Sequence, residues 1–238
     1  MHKMNRREAG KIVLTGAAGI ALAGKVSLAA DPINSVVRGV QIGAQSYSFR
    51  DRGLDAAIQG FVECGLGECE LWQGHLEPDE ERNWQAVRKW RAETPLSFFH
   101  DVRTKFDNAG VKIYAYNFSF NKFMTDAEID RGFQFAQALG VKYITASSQV
   151  SVAHRVDQAA QKYKIMVGFH GHDNTKDPDE FSTIDSFARA MKGASEYIGV
   201  NLDIGHFTAA GGDPVAYLKE HHAKIVTLHI KDRKKDHG

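Results

Sequence analysis

The segment Gly199-Val-Asn-Leu-Asp-Ile-Gly-His206 carries the pattern that decides the fold, because an apolar β-type run ends in an acid and a histidine. Two other runs also end in histidines. Lys164–His170 leads into Phe169-His-Gly-His172, and Ile225–Ile230 leads into Leu228-His-Ile-Lys-Asp-Arg233. The carboxyl ends of parallel strands meet at one face of a barrel, so the repetition predicts that these polar residues share a site.

Short β-rich segments alternate with longer amphipathic ones from residue 40 onward. The predicted strands are Val40–Tyr47, Glu68–Trp72, Val111–Phe118, Lys142–Ser147, Lys164–His170, Gly199–Asp203 and Ile225–Ile230. The helical stretches predicted between them are Asp51–Cys64, Asp126–Leu139, Val150–Tyr163, Asp179–Glu196 and Asp213–His222. We expect Asp126 and Asp213 to cap their helices, and Gly110 and Gly140 to end helices with a positive φ angle.

This alternation of apolar strands with helices is typical of a parallel sheet that is buried on both faces. We predict an α/β fold, a TIM-type (β/α)8 barrel. A complete barrel needs about 250 residues, so we expect this chain to be truncated after its seventh strand. The alternative is a doubly wound sheet, but Gln45-Ser-Tyr-Ser-Phe-Arg50 lacks the glycine-rich loop of dinucleotide-binding folds.

The N-terminus has the features of an export signal. Met1 to Lys11 is basic and contains Arg6-Arg7, a run of small apolar residues follows, and Ser27-Leu28-Ala29 fits a cleavage site. We predict a twin-arginine-type signal in residues 1–30, a single barrel domain in residues 31–238 and a periplasmic or extracellular location. The alternative is an ordinary N-terminal segment. After removal of the signal, no membrane span is expected.

The overall charge limits the kinds of partner that the protein can bind, and the cysteines indicate whether it contains a disulfide. A formal net charge of +1 gives no general basic character, which argues against nucleic acid as a partner. Cys64 and Cys69 are expected to be two buried thiols rather than a disulfide. The sequence makes no prediction about the oligomeric state.

The candidate metal ligands are His170, Asp203, His206 and His229. One aspartate with two or three imidazoles suits a borderline divalent cation such as Zn, Mn, Co or Fe(II). Gly205 is expected to allow a sharp bend between Asp203 and His206. His172 lies two residues beyond His170, so it could be a ligand, an outer partner of a ligand or a substrate contact.

The candidate catalytic residues are Glu70, His172 and Lys231, and the candidate substrate-binding residues are Gln45, Trp72 and His206. Glu70 could equally be a buried carboxylate that structures the barrel mouth. Lys231 could contact a developing oxyanion, or it could form a rim ion pair with Asp232. Tyr47 and Phe118 could line the site with Trp72, although aromatic residues near strand ends are also common as core or rim packing.

Three of these motifs resemble those of the xylose isomerase-like barrel superfamily: Phe-His-x-His at 169–172, Asp-x-Gly-His at 203–206 and His-Ile-Lys-Asp at 229–232. They most resemble the sugar phosphate isomerase/epimerase branch, including exported members with twin-arginine signals. Residues 45–50 and 70–72 resemble that branch too. The resemblance implies a metal-dependent barrel that acts on a sugar or sugar derivative.

Carried over residue by residue, the resemblance makes Asp203 and His229 metal ligands and His206 a ligand or a substrate-binding residue. His170 stands where many members have a ligating glutamate, and the glutamate of an eighth strand has no counterpart. The sequence therefore does not supply both of the carboxylates that exchange the substrate proton in the epimerases. Asp236 and His237 could match further ligands of the endonuclease relatives.

The leading hypothesis is isomerisation or epimerisation of a small carbohydrate by proton transfer through an enediolate, supported by a divalent cation. A metal-dependent lyase or hydrolase of oxidised (keto) glycosides would use the same acidified C–H bond and then release a leaving group. A sugar-binding barrel without catalysis is the third alternative. A phosphodiesterase is the least favoured, because the sequence shows no basic groove.

Overall fold

A computed structural model of the chain describes residues 30–78 and 83–235. The expected export signal lies outside this part except for its last residue, as do Asp236 and His237. Strands β1 (Val36–Val37) and β2 (Val40–Gln41) form a small antiparallel hairpin. The remaining strands form one parallel sheet in chain order: β3 (Gly43–Gln45), β4 (Glu68–Trp72), β5 (Lys112–Asn117), β6 (Tyr143–Ala146), β7 (Met166–His170), β8 (Ile198–Asp203) and β9 (Ile225–His229).

The sheet curls strongly, as contacts between distant strands show. Nε2 of His229 on β9 lies 2.8 Å from Oε2 of Glu70 on β4, and the Tyr114 hydroxyl on β5 donates to the Val226 carbonyl on β9. Neighbouring strands are about 4.8 Å apart, so a flat sheet would hold β4 and β9 more than about 20 Å apart. The α/β prediction is confirmed: seven parallel strands curl into part of a TIM-type barrel.

Helices follow most strands and cover the outside of the sheet. They are α1 (Leu54–Glu63), α2 (Trp84–Glu93), α3 (Leu96–Asn108), α4 (Asp126–Ala138), α5 (Ala153–Tyr163), α6 (Ile184–Met191), α7 (Ile204–Ala209) and α8 (Pro214–His221). Helices α2 and α3 occupy a stretch for which the sequence analysis named no element. Pro95 separates them, because it serves as the N-cap residue of α3 and cannot continue α2.

The first predicted strand, Val40–Tyr47, is wrong as one element. Val40 and Gln41 pair in antiparallel fashion with β1, the preceding strand of the hairpin. Gly43–Gln45 joins the parallel sheet of the barrel, and a 3-10 turn begins at Ser46. The apolar alternation continues through all of these pieces, so periodicity alone could not separate them.

Two helix starts test the predicted caps. Asp213 caps α8 as expected, with Pro214 in the first helical position. For α4 the cap is Thr125 and not Asp126, because the Thr125 hydroxyl and the Glu128 carboxylate form a reciprocal capping box. The predicted positive φ angles are confirmed at +70° for Gly110 and +71° for Gly140.

Gly205 differs from expectation in its physical role. It lies inside α7, and it is not among the residues with a positive φ angle. A Cβ atom at this position would lie 2.7 Å from Cβ of Lys231, so the glycine allows α7 to pack closely against the segment that follows β9.

The interior is rich in aromatic side chains, and Phe118 is among them. Phe118 is fully buried, so it packs in the core and does not line the site. The guanidinium of Arg91 lies over its ring and forms a buried ion pair with Glu77, with Nη2 and Oε2 2.7 Å apart. Cys69 is buried and Cys64 is exposed, and both are free thiols, which corrects the expectation that both would be buried. Within residues 30–78 and 83–235, no helix combines the length and apolar character needed to cross a membrane.

Candidate metal centre and active site

Strand register brings the predicted ligands together at the carboxyl ends of β7, β8 and β9. His170 on β7 lies opposite Asn201, and His229 on β9 lies opposite Asp203. Side chains alternate along a strand, so Asn201 and Asp203, two residues apart on β8, point to the same side. The two histidines therefore flank the Asp203 carboxylate.

Each of these histidines is held by a partner on its far nitrogen. Nδ1 of His170 bonds to Oδ1 of Asn201, and Nε2 of His229 bonds to Oε2 of Glu70 at 2.8 Å. Both partners are oxygen acceptors, so these ring nitrogens carry the protons. In the neutral rings, Nε2 of His170 and Nδ1 of His229 then present lone pairs. Outer acceptors of this kind are the usual way in which proteins orient metal-binding histidines.

Both lone pairs face one oxygen of Asp203. Its Oδ2 atom lies 3.9 Å from Nε2 of His170 and 3.8 Å from Nδ1 of His229. Ligands about 2.1 Å from a tetrahedral Zn²⁺ are roughly 3.4 Å from one another, so each of these two distances is close to the spacing of atoms that share one cation. His170, Asp203 and His206 also have potential ligand atoms within 4.8 Å of one another. The residues present therefore fit a borderline divalent cation.

Asp203 is fully buried and ionised. Its Oδ1 accepts the backbone N–H of His206 at 2.9 Å and caps α7, while Nζ of Lys231 forms an ion pair with Oδ2 at 2.7 Å. Burial raises the pKa of Asp203, but the Lys231 ammonium and the His206 N–H lower it by more, so the pKa lies below its ordinary value. Lys231 thus pairs with Asp203 and not, as one alternative had it, with Asp232.

Opposite effects act on the two histidines. Burial and the neighbouring imidazoles of His229 and His172 lower the pKa of His170 to about 3, so this ring is neutral. Burial also lowers the pKa of His229, but the hydrogen bond and charge of Glu70 raise it by more, and the pKa lies above its ordinary value. A cation that binds Nδ1 of His229 must therefore displace any proton held there.

Glu70 is committed to hydrogen bonds inside the barrel. Its Oε1 accepts from the Gln45 amide at 2.7 Å and the Thr145 hydroxyl at 2.6 Å, and its Oε2 bonds to His229. Burial raises the pKa of Glu70, but these bonds outweigh burial and lower it overall. Of the two roles considered for Glu70, the geometry favours the structuring carboxylate. Gln45 was expected to bind substrate, and its side-chain N–H donates a hydrogen bond to Glu70.

His206 is arranged differently from the other candidate ligands. Nη1 of Arg233 lies 3.1 Å from Nδ1 of His206 and 2.9 Å from Oδ2 of Asp173. A guanidinium only donates, so Nδ1 of His206 accepts and Nε2 carries the proton. Burial is the main cause of a lowered pKa at His206. This arrangement favours His206 as a donor to a substrate oxygen over His206 as a ligand.

His172 lies beside the metal centre without facing Asp203. Its ring centroid is 4.9 Å from that of His170 and 5.5 Å from that of His206. Both of its nitrogens have partners: Nδ1 lies 2.7 Å from Oε1 of Glu180, and Nε2 lies 3.2 Å from Oγ of Ser147. Of the roles considered for His172, this geometry does not favour ligation.

Trp72 and Tyr47 form an aromatic pair at the ends of β4 and β3. Their rings meet edge to face with centroids 4.9 Å apart, and Tyr47 is 43% exposed. His75 also packs against Trp72, with ring centroids 5.4 Å apart. An exposed aromatic ring of this kind can contact the apolar face of a sugar.

Five residues of the site were missed by the sequence analysis: Thr145, Ser147, Glu180, Asn201 and Arg233. Asn201 could have been found, because it precedes Asp203 by two residues on the same strand. Arg233 directly follows a motif that was noticed. Glu180 lies in a loop and reaches the site only because that loop folds back, for which the sequence gives no signal.

Comparisons with known proteins place this geometry in context. No protein-family model matches the chain. A 75-residue stretch, 32% of the chain, is 33% identical to the rhizopine catabolism protein MocC of Rhizobium meliloti, but it spans only 22% of that protein.

Solved structures match much more of the chain. A sugar phosphate isomerase/epimerase from Parabacteroides distasonis has a TM-score of 0.61 at 16% identity, covering 84% of this chain and 80% of that one. The IolI protein with a bound zinc atom has a TM-score of 0.60 at 16% identity, covering 81% and 73%. The 3-keto-D-glucoside 4-epimerase YcjR of E. coli has a TM-score of 0.57 at 12% identity, covering 81% and 79%.

Proposed function

Because the chain has the xylose isomerase-like barrel fold that its motifs predicted, we propose that it is a metal-dependent isomerase or epimerase of sugars or sugar derivatives. One observation carries the proposal: His170 and His229, each fixed by an outer acceptor, direct their free nitrogens at Oδ2 of the buried Asp203. A site of this design is costly to build for structure alone, since it places a carboxylate in the barrel interior.

The similar solved structures support both the metal dependence and the sugar isomerase or epimerase activity in the proposal. The IolI structure holds a zinc atom, and two other structural neighbours are named as a sugar phosphate isomerase/epimerase and a keto-glucoside epimerase. A small carbohydrate is accordingly the proposed substrate. Export to the periplasm or beyond is also proposed, on residues 1–30 alone.

The chemistry needs a carbon-bound proton to be removed and returned. A divalent cation at this centre would polarise adjacent carbonyl and hydroxyl oxygens of the sugar and acidify the proton between them. Asp203, His170 and His229 are the residues that would hold it. Nζ of Lys231, on a side chain that is 48% exposed, can leave Asp203 and approach an oxygen on which negative charge develops in the enediolate.

The decisive experiment combines metal analysis with product analysis. The purified chain is loaded with Zn²⁺ or Mn²⁺ and offered unmodified ketohexoses and a 3-keto-D-glucoside. We expect metal-dependent conversion to an isomer of unchanged mass. Asp203→Asn, which keeps the side chain's shape, should lose both the bound metal and the conversion, whereas the exposed-site control Asp185→Asn should keep both.

Other outcomes identify the alternatives. Release of an aglycone or second sugar would show a lyase or hydrolase. Tight sugar binding with no turnover would show a binding barrel. Retention of stoichiometric metal by Asp203→Asn would contradict the proposed site.

A further inference from the structure

Three side chains from two loops form a hydrogen-bonded line beside the metal centre. Oγ of Ser147, just after β6, lies 3.2 Å from Nε2 of His172, and Nδ1 of the same ring lies 2.7 Å from Oε1 of Glu180. Glu180 is an acceptor, so it places the proton of the neutral ring on Nδ1. Nε2 then has the lone pair, to which the Ser147 hydroxyl donates.

The backbone holds this line in place. The His172 N–H donates to the Phe181 carbonyl at 2.7 Å, so the loop after β7 returns on itself and brings Glu180 back to His172. Glu180 also forms an antiparallel bridge with Gln149 in the loop after β6. A carboxylate fixed by backbone pairing on both sides needs little reorganisation to keep its hydrogen bond.

The side chain of Asp179 strengthens the same connection. Its two oxygens accept from the N–H and the hydroxyl of Ser151, both at 2.8 Å, and its carbonyl accepts the N–H of Val150 at 2.8 Å. The two loops are therefore tied together directly beside the line of Ser147, His172 and Glu180.

The line ends at the site. The ring of His172 contacts those of His170 and His206, and 32% of its side chain is accessible. A substrate bound at the metal centre would therefore lie close to this ring. Among the candidate proton-moving groups, Glu70 has three internal hydrogen bonds and Lys231 is assigned to the developing oxyanion, whereas Nε2 of His172 is paired only with a hydroxyl.

We propose that His172 moves the proton in this site and that Glu180 is the positioning residue that holds the ring through Nδ1 and so orients Nε2. The inference rests on the proposed function. Nε2 takes the proton from the substrate carbon while the electron pair of the C–H bond passes into the enediolate. Nε2 then returns that proton to the neighbouring carbon of the enediolate while the hydroxyl proton passes between the two oxygens, so the sugar is isomerised and the ring becomes neutral again. The Nδ1 proton stays with the Glu180 hydrogen bond throughout.

The first test observes the tautomer and needs no substrate. In ¹⁵N spectra of protein labelled at histidine, with the His172 signals identified by their loss in His172→Gln, we expect protonated Nδ1 and unprotonated Nε2. Glu180→Gln should bring in the other tautomer, and the control Asp185→Asn, whose carboxylate is 79% exposed in the following helix, should not. A protonated Nε2 in the wild-type protein would overturn the inference.

The second test follows turnover. For whichever sugar the wild-type enzyme converts, Glu180→Gln should lower kcat by about tenfold or more and His172→Gln by about a hundredfold or more, with KM and Zn²⁺ stoichiometry unchanged. Exchange of the substrate's carbon-bound proton with D₂O should fall in parallel. Wild-type kcat in both variants would overturn the inference and leave the proposed function standing. Failure of the wild type on every sugar would contradict the proposed function and, with it, the inference.

Discussion

Nε2 of His229 lies 2.8 Å from Oε2 of Glu70, although four strands separate β9 from β4 in the sheet. The bond spans the barrel interior, and it turns Nδ1 of His229 towards Asp203. One contact thus links the curl of the sheet to the geometry of the proposed metal centre.

This link predicts that Glu70 sets metal affinity. Replacing a carboxylate that orients a metal-binding histidine commonly weakens metal binding by about 10–100-fold. We expect a loss of that size for Zn²⁺ in Glu70→Gln, measured by calorimetric titration. Glu68→Gln is the matched control, because Glu68 lies on the same strand and pairs only with the exposed Lys112 among the described ion pairs. Equal affinity in the two variants would show that Glu70 does not act through His229.

Replacing Lys231 should strengthen metal binding, whereas replacing Glu70 should weaken it. Its ammonium lies 2.7 Å from Oδ2 of Asp203, where it competes with a cation. Lys231→Met should therefore tighten Zn²⁺ binding by roughly fivefold, equivalent to about 1 kcal/mol. The exposed Lys234→Met should change nothing. Weaker binding in Lys231→Met would mean that the lysine supports the site instead of competing for it.

Much of this arrangement follows from the sequence, because parallel strands bring their carboxyl ends together. The histidines and the acid at the ends of three apolar runs were enough to predict that His170, Asp203 and His229 would meet. The α/β barrel followed from the same runs. Short motifs that follow consecutive strands are informative because the fold places the carboxyl ends of those strands at one face of the barrel.

The partners of these residues could not be predicted in the same way. Glu70 and His229 are 159 positions apart and meet only because the sheet curls. Glu180 reaches His172 through a backbone bridge between two loops. Val40–Tyr47 was also predicted as one strand, because its apolar alternation does not reveal that the pairing partner changes after Gln41. Periodicity reports which face a side chain lies on, but not which residue it meets.

The buried neutral state of His170 predicts a dependence of stability on pH. Its pKa is about 3 in the folded protein and near 6.5 when unfolded, so the unfolded chain binds the proton first as the pH falls. His170 therefore stabilises fully above pH 6.5 and progressively less between pH 6.5 and 3. From pH 7 to pH 5 the loss should be about 2 kcal/mol.

Comparison with His170→Gln isolates this contribution from those of other groups. Urea unfolding in the presence of a chelator gives the free energy of unfolding for both proteins. The advantage of wild type over His170→Gln, whatever its size at pH 7, should shrink by about 2 kcal/mol at pH 5. A difference that stays constant with pH would show that His170 is not held neutral by burial.

The proposed export signal can be tested apart from the barrel. Residues 1–30 fused to a reporter that is active only outside the cytoplasm should give a signal in a host with a twin-arginine pathway. Replacing Arg6 and Arg7 together by lysine should abolish it, because that pathway recognises the arginine pair. Replacing Lys3 and Lys11 by arginine is the charge-neutral control. Equal signal from all three fusions would contradict twin-arginine export.

The central claim is that one cation binds between Asp203, His170 and His229, and anomalous diffraction tests it most directly. Crystals of the chain grown with Zn²⁺ should give, in data collected on both sides of the zinc edge, a single strong peak about 2.1 Å from Oδ2 of Asp203, Nε2 of His170 and Nδ1 of His229. That peak should be missing in Asp203→Asn. A zinc peak elsewhere, with none between these three atoms, would contradict the account.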